Sequence, residues 1–183
     1  MRKTIHGHAD VRCFDKDGKL KWEELGIHNV WHDEGEQYLL SLAFATAYSG
    51  YGSPTVATMY IGLDSRASLA EGDTLATING IEPNVAYGYA RLGCVTSGTG
   101  VAGQDFVLSQ PVAAWQALTK EVTFLAAGGA WAQMKNCFLC THLTAVTSAQ
   151  GQRLIMSLAL SQPRTLADGE SVKVSMYVQI SEP

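Results

Sequence analysis

The sequence predicts a mainly β, antiparallel domain, and three observations carry that prediction. Val172, Val174, Met176, Val178 and Ile180 alternate without a break against Ser171, Lys173, Ser175, Tyr177 and Gln179, so one face of this segment is buried and the other meets water or a partner. Charged residues are only 16% of the chain while glycine (18 residues), serine, threonine and alanine are plentiful, which suits turns and half-buried strands better than a charged helical bundle. At 183 residues the chain is long enough to bury roughly 70% of the surface its unfolded form exposes, as one domain or one domain with an appendage, so it needs no disulfide.

The elements follow in order. From Thr4 to Phe14, Ile5, Gly7, Ala9, Val11 and Cys13 alternate with His6, His8, Asp10 and Arg12, a strand with one polar face. Asp15 to Gly18 supplies a tight turn, since Asp-Gly is favoured where positive φ is needed, and Leu20 to Trp22 returns as a hairpin. This ribbon buries little apolar area of its own and is expected to be an N-terminal β arm within residues 1–28, with the main β domain over 29–183. A helix is predicted over about residues 34–47: Asp33 caps it, Glu36 completes a capping-box spacing, and Leu39, Leu42, Ala43 and Thr46 recur at helical spacing. Two glycines and Pro54 within Tyr48 to Pro54 end it.

Met59, Ile61 and Leu63 alternate with Tyr60 and Gly62 in a half-buried strand that Asp64 and Ser65 halt. Ala67 to Ala76 forms a turn or two with a bend at Glu71-Gly72-Asp73. After Pro83 a second strand is expected, with Tyr87, Tyr89 and Arg91 on one side and Ala86, Gly88, Ala90 and Leu92 on the other. Gly93 to Gln104 reads as a loop; it lacks the Lys-Ser or Lys-Thr pair and the following helix of a phosphate cradle. Further strands are expected at Asp105 to Leu108, Ala114 to Leu118, Lys120 to Leu125, Asn136 to Leu143 and Arg153 to Ser161. Leu69 to Leu75 (LAEGDTL) matches Leu166 to Val172 (LADGESV) in residue class at every position, which marks either two similar turns or convergence on a common turn chemistry.

Composition narrows function. A net charge of −4 gives no basic footprint for phosphate contacts, so no nucleic-acid partner is expected. Arg2 and Lys3 lead into His6, His8 and Asp10 rather than an apolar leader, and no run approaches a membrane span, so neither a leader nor a membrane partner is expected. Of the four cysteines, Cys137 and Cys140 form a C-x-x-C, but Cys13 and Cys94 offer no second pair at ligand spacing, and positions three apart on a strand face opposite sides. Buried free thiols are expected. His6 and His8 share a strand face and suit a metal only if a third ligand arrives; His28 and His32 flank the helix start. No catalytic motif, metal set or cofactor site is assigned, and no enzyme activity is expected. Trp22, Trp31, Trp115 and Trp131 are dispersed, whereas Tyr51, Tyr60, Tyr87 and Tyr89 are the candidates for a sugar-binding platform if they are not core or subunit contacts.

Three stretches in sequence order resemble virion structural proteins of tailed bacteriophages. Asn29 to Gly35 (NVWHDEG) with the Tyr38 to Phe44 helix resembles an "N-x-V-T-x-x-G then helix" opening, although Trp31 and His32 replace its usual small polar pair. Tyr60 to Leu63, Asp73 to Leu75, Glu82 and Tyr87 to Arg91 resemble the middle segment of such proteins, and Leu166 to Ile180 their alternating terminal strand. The resemblance implies a jelly-roll-like β-sandwich with one helix and an N-terminal β arm, and a capsid decoration (cement) protein that stabilises the phage head. It also implies partners: further copies of the chain, as a homotrimer or other homo-oligomer, and the major capsid protein or another virion protein. Location in the virion, after assembly in the host cytoplasm, follows from the same resemblance. A tail, baseplate or fibre-attachment component and a glycan-binding module are the alternatives.

Overall fold

The computed structural model describes residues 4–44, 58–95, 105–110, 115–143 and 152–181. They form strands β1 (Thr4–Phe14), β2 (Leu20–Trp31), β3 (Thr58–Asp64), β4 (Leu92–Val95), β5 (Phe106–Ser109), β6 (Trp115–Thr119), β7 (Val122–Leu125), β8 (Trp131–Cys140), β9 (Leu154–Leu166) and β10 (Ser171–Ser181), with helix α1 (Asp33–Phe44). The mainly β antiparallel class is as expected. The strands lie in the order β4-β3-β8-β9-β2-β1-β10-β6-β5, with β7 also on β10. The two ends of that order meet: Asp105 N–H donates to Val95 O at 3.0 Å and Val95 N–H to the Asp105 carboxylate at 2.8 Å. The sheet is thereby nearly closed into a barrel-like shape.

The first hairpin forms as its turn chemistry predicts. Gly18 takes φ 80°, its N–H donates to Asp15 O, and the Asp15 carboxylate accepts from the N–H groups of Asp17 and Lys19. It is not an appended arm, however. β1 sits between β2 and β10 and pairs with β10 along its whole length, from Thr4 opposite Ser181 to Phe14 opposite Ser171, so the expected boundary at residue 28 falls inside β2. The small inward residues that made the ribbon look poor in apolar area are what a tightly curved interior requires. A Cβ on Gly7 would collide with Met156 Sδ and with Asn29, while Ala9, Val11 and Cys13 are buried.

A bulge turns the sheet at this point. β2 pairs with β1 as far as His28 and with β9 over Asn29–Trp31. Ala9 faces Ile27 but Val11 faces Glu24, so Leu25 and Gly26 stand opposite the single residue Asp10. Gly26 accommodates this with φ 63°, and its freed N–H donates to the Asp10 carboxylate at 2.8 Å.

The interior is filled by Phe124, Trp131, Met134, Leu158, Leu166 and Met176. β8 breaks alternation because both its faces are covered: Cys137 and Leu139 point into the barrel, whereas Phe138 and Cys140 pack outward beneath Leu75, Ile78 and Leu154. The covering residues Leu75 and Ile78 come from the long excursion between β3 and β4.

Two local expectations change. Helix α1 starts at Asp33, and its first main-chain acceptor is His32 O, which takes the N–H groups of Gly35 and Glu36; Asp33 lies inside the first turn. Residues 45–47 of the expected helix and the terminating stretch 48–54 lie outside the described residues. Ala86 to Arg91 is not a strand: Asn84 Oδ1 accepts from Ala86 N–H, Val85–Tyr87 makes one 3-10 turn, and Gly88 closes it at φ 83°, so strand structure begins only at Leu92. Side-chain competition for the backbone at Asn84 overrides the apparent alternation.

Candidate functional site

Polar side chains concentrate on the excursion between β3 and β4 and beneath it. At the end of β3, fully buried Asp64 stands opposite Asn136 on β8. Arg66 chelates it, with Nε 3.2 Å from both carboxylate oxygens and Nη2 2.8 Å from Oδ2, and Asn136 Nδ2 donates to Oδ1 at 2.7 Å. The other guanidinium nitrogen reaches Asp73 at 2.9 Å, and Nη2 also donates to Ser157 Oγ at 2.7 Å. The two acids and the serine thus share one guanidinium, the fork geometry for which arginine is suited.

Ser157 Oγ is also 2.8 Å from His32 Nε2, and His32 Nδ1 is 2.9 Å from Ala70 O. A carbonyl only accepts, so Nδ1 carries the proton and Nε2 accepts from the serine hydroxyl. Burial, then the charge of Arg66, holds the His32 pKa below its ordinary value, which keeps this neutral tautomer. The pair has the connectivity of a nucleophile and its base. Its setting opposes that role: His32 and Ser157 are both 0% exposed, a carbonyl rather than a carboxylate faces His32 Nδ1, Arg66 donates to the hydroxyl, and neither residue lines the clefts described below. The arrangement ties α1, the excursion and β9 together.

A second network closes the excursion. Arg91, 3% exposed, pairs with Glu82 through Nε at 2.9 Å and Nη2 at 2.7 Å, donates from Nη1 to His142 O, and stacks on Phe138 with its centre 5.2 Å from the ring. Tyr89 Oη accepts from Leu63 N–H at 2.9 Å and donates to Glu82 at 2.7 Å. β4 pairs with β3 only as far as Ile61, so the tyrosine hydroxyl satisfies a strand group that β4 leaves unpaired. Burial, then Glu82, pushes the Tyr89 hydroxyl well above its ordinary pKa.

The repeated heptad is a repeated structure. Asp73 N–H donates to Ala70 O while its carboxylate accepts from Ala70 N–H; Glu170 does the same with Ala167. Each acid then takes a cation, Arg66 for Asp73 and Lys21 for Glu170.

Two open clefts of about 450 Å³ each flank the strap Gly80–Pro83. One lies between the strap, Tyr87 and the start of β8; the other is lined by Val85, Ala90, Arg91 and Leu143. Of the tyrosines singled out by sequence, Tyr87 is exposed beside the first cleft, whereas Tyr89 is 5% exposed with its hydroxyl engaged and cannot be a platform. Tyr60 packs partly buried against the outer core cluster, and Tyr51 lies outside the described residues.

All four cysteines are buried and unbridged, and Cys137 and Cys140 belong to opposite faces of β8, as their spacing predicted. Burial pushes the Cys94 and Cys140 thiols up to about 11 and the Cys137 thiol higher still. Among the described residues no cluster of histidine, cysteine, aspartate and glutamate can hold a metal ion, and no helix is long and apolar enough to cross a membrane.

Sequence reasoning grouped His6 with His8, and the fold adds His28 and Tyr177. The His8 ring lies 4.4 Å from that of His28 across the β1–β2 pair and stacks on Tyr177 at 4.7 Å. Burial and His28 lower the His8 pKa. Both His8 and His32 therefore take up protons less readily when folded than when unfolded, where the value is about 6.5. The unfolded state binds more protons in that window, so stability is full above about pH 6.5 and falls as the pH drops toward the folded values. Thermal melts at pH 8, 7, 6 and 5 are expected to show the midpoint falling below pH 6.5, with His8→Gln reducing the slope; a midpoint flat from pH 8 to 5 would contradict the assignment.

Comparison with protein-family models, curated proteins and solved structures gives no match for this chain.

Proposed function

We propose that the chain is a non-enzymatic structural protein that acts by burying surface against neighbouring subunits, as a capsid decoration protein on the head of a tailed bacteriophage. One observation carries the assembly part of this reading. The core-facing side of the sheet continues into an uncovered apolar row where β1, β10, β6 and β5 end. Ile5 faces Ile180 and Ile180 faces Trp115 in register, and these are 44%, 45% and 56% exposed. Leu108 on the same face of β5 is 73% exposed. A contiguous apolar row at the end of a sheet, with a short outer strand beside it, is what a protein that grips its neighbours presents.

The virion setting is supported by the order of the three resembling stretches: the opening before α1, the middle segment over β3 to β4, and the alternating β10. The jelly-roll-like sandwich belongs to the same reading, with β2 changing partners from β1 to β9 as the corner between two sheet faces. The apolar row is the surface of self-association as a homo-oligomer, and that assembly then attaches to a shell subunit. Co-sedimentation with expanded phage heads stripped of decoration protein tests it. Retention of the chain on heads, lost in Trp115→Glu, is expected; no retention by any head type would overturn the virion setting.

A further inference from the structure

The first cleft has the makings of a ligand site that the assembly reading does not use. Its wall is Tyr87, 37% exposed. The ring is held from behind: a Cβ on Gly129 would stand 2.7 Å from two of its carbons and 2.9 Å from a third, so the aromatic lies directly over glycine backbone. The main chain beneath is fixed as well, because Tyr87 O accepts from Trp131 Nε1 at 2.8 Å and from Ala127 N–H at 3.0 Å. A rigid, part-exposed aromatic backed by glycine main chain and lining a cleft suits stacking by a ligand rather than core filling.

The charged groups around it already hold partners within the protein. The acids in the lining are both paired, Glu82 with Arg91 and Asp64 with Arg66, which it shares with Asp73. What remains for a ligand is uncharged: the amide of exposed Gln133, the Nδ2 donors of Asn84, whose Oδ1 is taken by Ala86 N–H, and Ser65 Oγ, which donates to Ile81 O and keeps its lone pairs. At about 450 Å³ the cleft falls in the size range of small-ligand sites, and it is open rather than enclosed. An aromatic face for C–H groups, ringed by amides and a hydroxyl with no net charge, suits a polyhydroxyl ligand without charge.

We propose that this cleft binds a neutral saccharide, which stacks on Tyr87 and is held by Gln133, Asn84 and Ser65. The proposal is independent of the assembly reading, since the apolar row at Trp115 takes no part in it.

The test is saturation-transfer NMR and calorimetry on the full chain with maltotriose, cellotriose and chitotriose, after a glycan array containing both neutral and sulfated or sialylated saccharides. Binding of at least one neutral saccharide is expected, weakened about tenfold or more by Tyr87→Ala and about threefold by Gln133→Ala, which alters only an exposed side chain. Gly129→Ala removes no polar group, yet is expected to displace the ring and weaken binding as Tyr87→Ala does. Trp115→Glu is expected to bind as the parent does while failing on heads, which separates the two readings. Thermal melts establish that each variant is folded. No binding to any neutral saccharide, a preference for anionic ones, or binding unchanged in both Tyr87→Ala and Gln133→Ala would overturn the proposal.

Discussion

Replacing Arg66 by Met is expected to destabilise the protein by about 3 to 5 kcal/mol, the range for removing one partner of a buried ion pair. The size follows from what the guanidinium serves at once: Asp64 with a side chain 0% exposed, Asp73, and the Ser157 hydroxyl that completes the His32 pair. Methionine fills much of the volume, so the loss reports uncompensated charge rather than a cavity. For a chain of this length each kcal/mol moves the melting midpoint by about 2 to 4 °C, so a drop on the order of 10 °C is expected. Urea unfolding checks it. Asp64→Asn in the Arg66→Met background is expected to recover part of the loss, because the orphaned charge is then gone. A loss under about 1 kcal/mol would mean that water or rearrangement replaces the arginine.

The second large effect is expected at Trp131. The indole is 1% exposed, meets Tyr89 edge-on with centroids 5.5 Å apart, and donates to Tyr87 O. Trp131→Ala should cost about 3 to 5 kcal/mol through the cavity it leaves. Trp131→Phe keeps most of the packing but leaves Tyr87 O with only the Ala127 N–H as donor, and should cost less, with about 1 kcal/mol from the lost hydrogen bond. Urea unfolding of the two variants separates the contributions. Equal losses would assign the whole effect to the hydrogen bond and contradict the packing account.

Local chemistry was legible wherever one strand or one turn decides the outcome. The alternation of residues 171–180, the Asp-Gly turn at Gly18 and the divergence of Cys137 from Cys140 all follow from period-2 geometry or positive φ, and the structure has each of them. The repeated heptad is visible as a pattern, but its content, an acid bonding its own turn and then a cation, is completed only by the tertiary fold. What stayed hidden depends on partners far away in sequence. Arg66 meets Ser157 across 91 residues and Asp64 meets Asn136 across 72, and no local spacing records such a pairing. The central place of β1 was hidden for a related reason. Gly7 looks too small to anchor a strand until Met156 and Asn29 are seen packed over it. The stretch after Pro83 misled because alternation of Tyr87, Tyr89 and Arg91 imitates a strand, while Asn84 and Gly88 carry the turn signals that prevail.

Those buried networks also bear on function. The candidate that most resembles catalytic machinery, Ser157 with His32, is sealed and tied to Arg66, whereas the apolar residues left uncovered lie in register at one end of the sheet. The proposed function, burial of surface against neighbouring subunits, rests on that row. Sedimentation velocity of the full chain over a range of concentrations, beside a Leu108→Glu/Trp115→Glu double variant, tests this most directly. The parent is expected to sediment as a closed oligomer and the double variant as a folded monomer. A parent that stays monomeric throughout, or a double variant that assembles as the parent does, would contradict it.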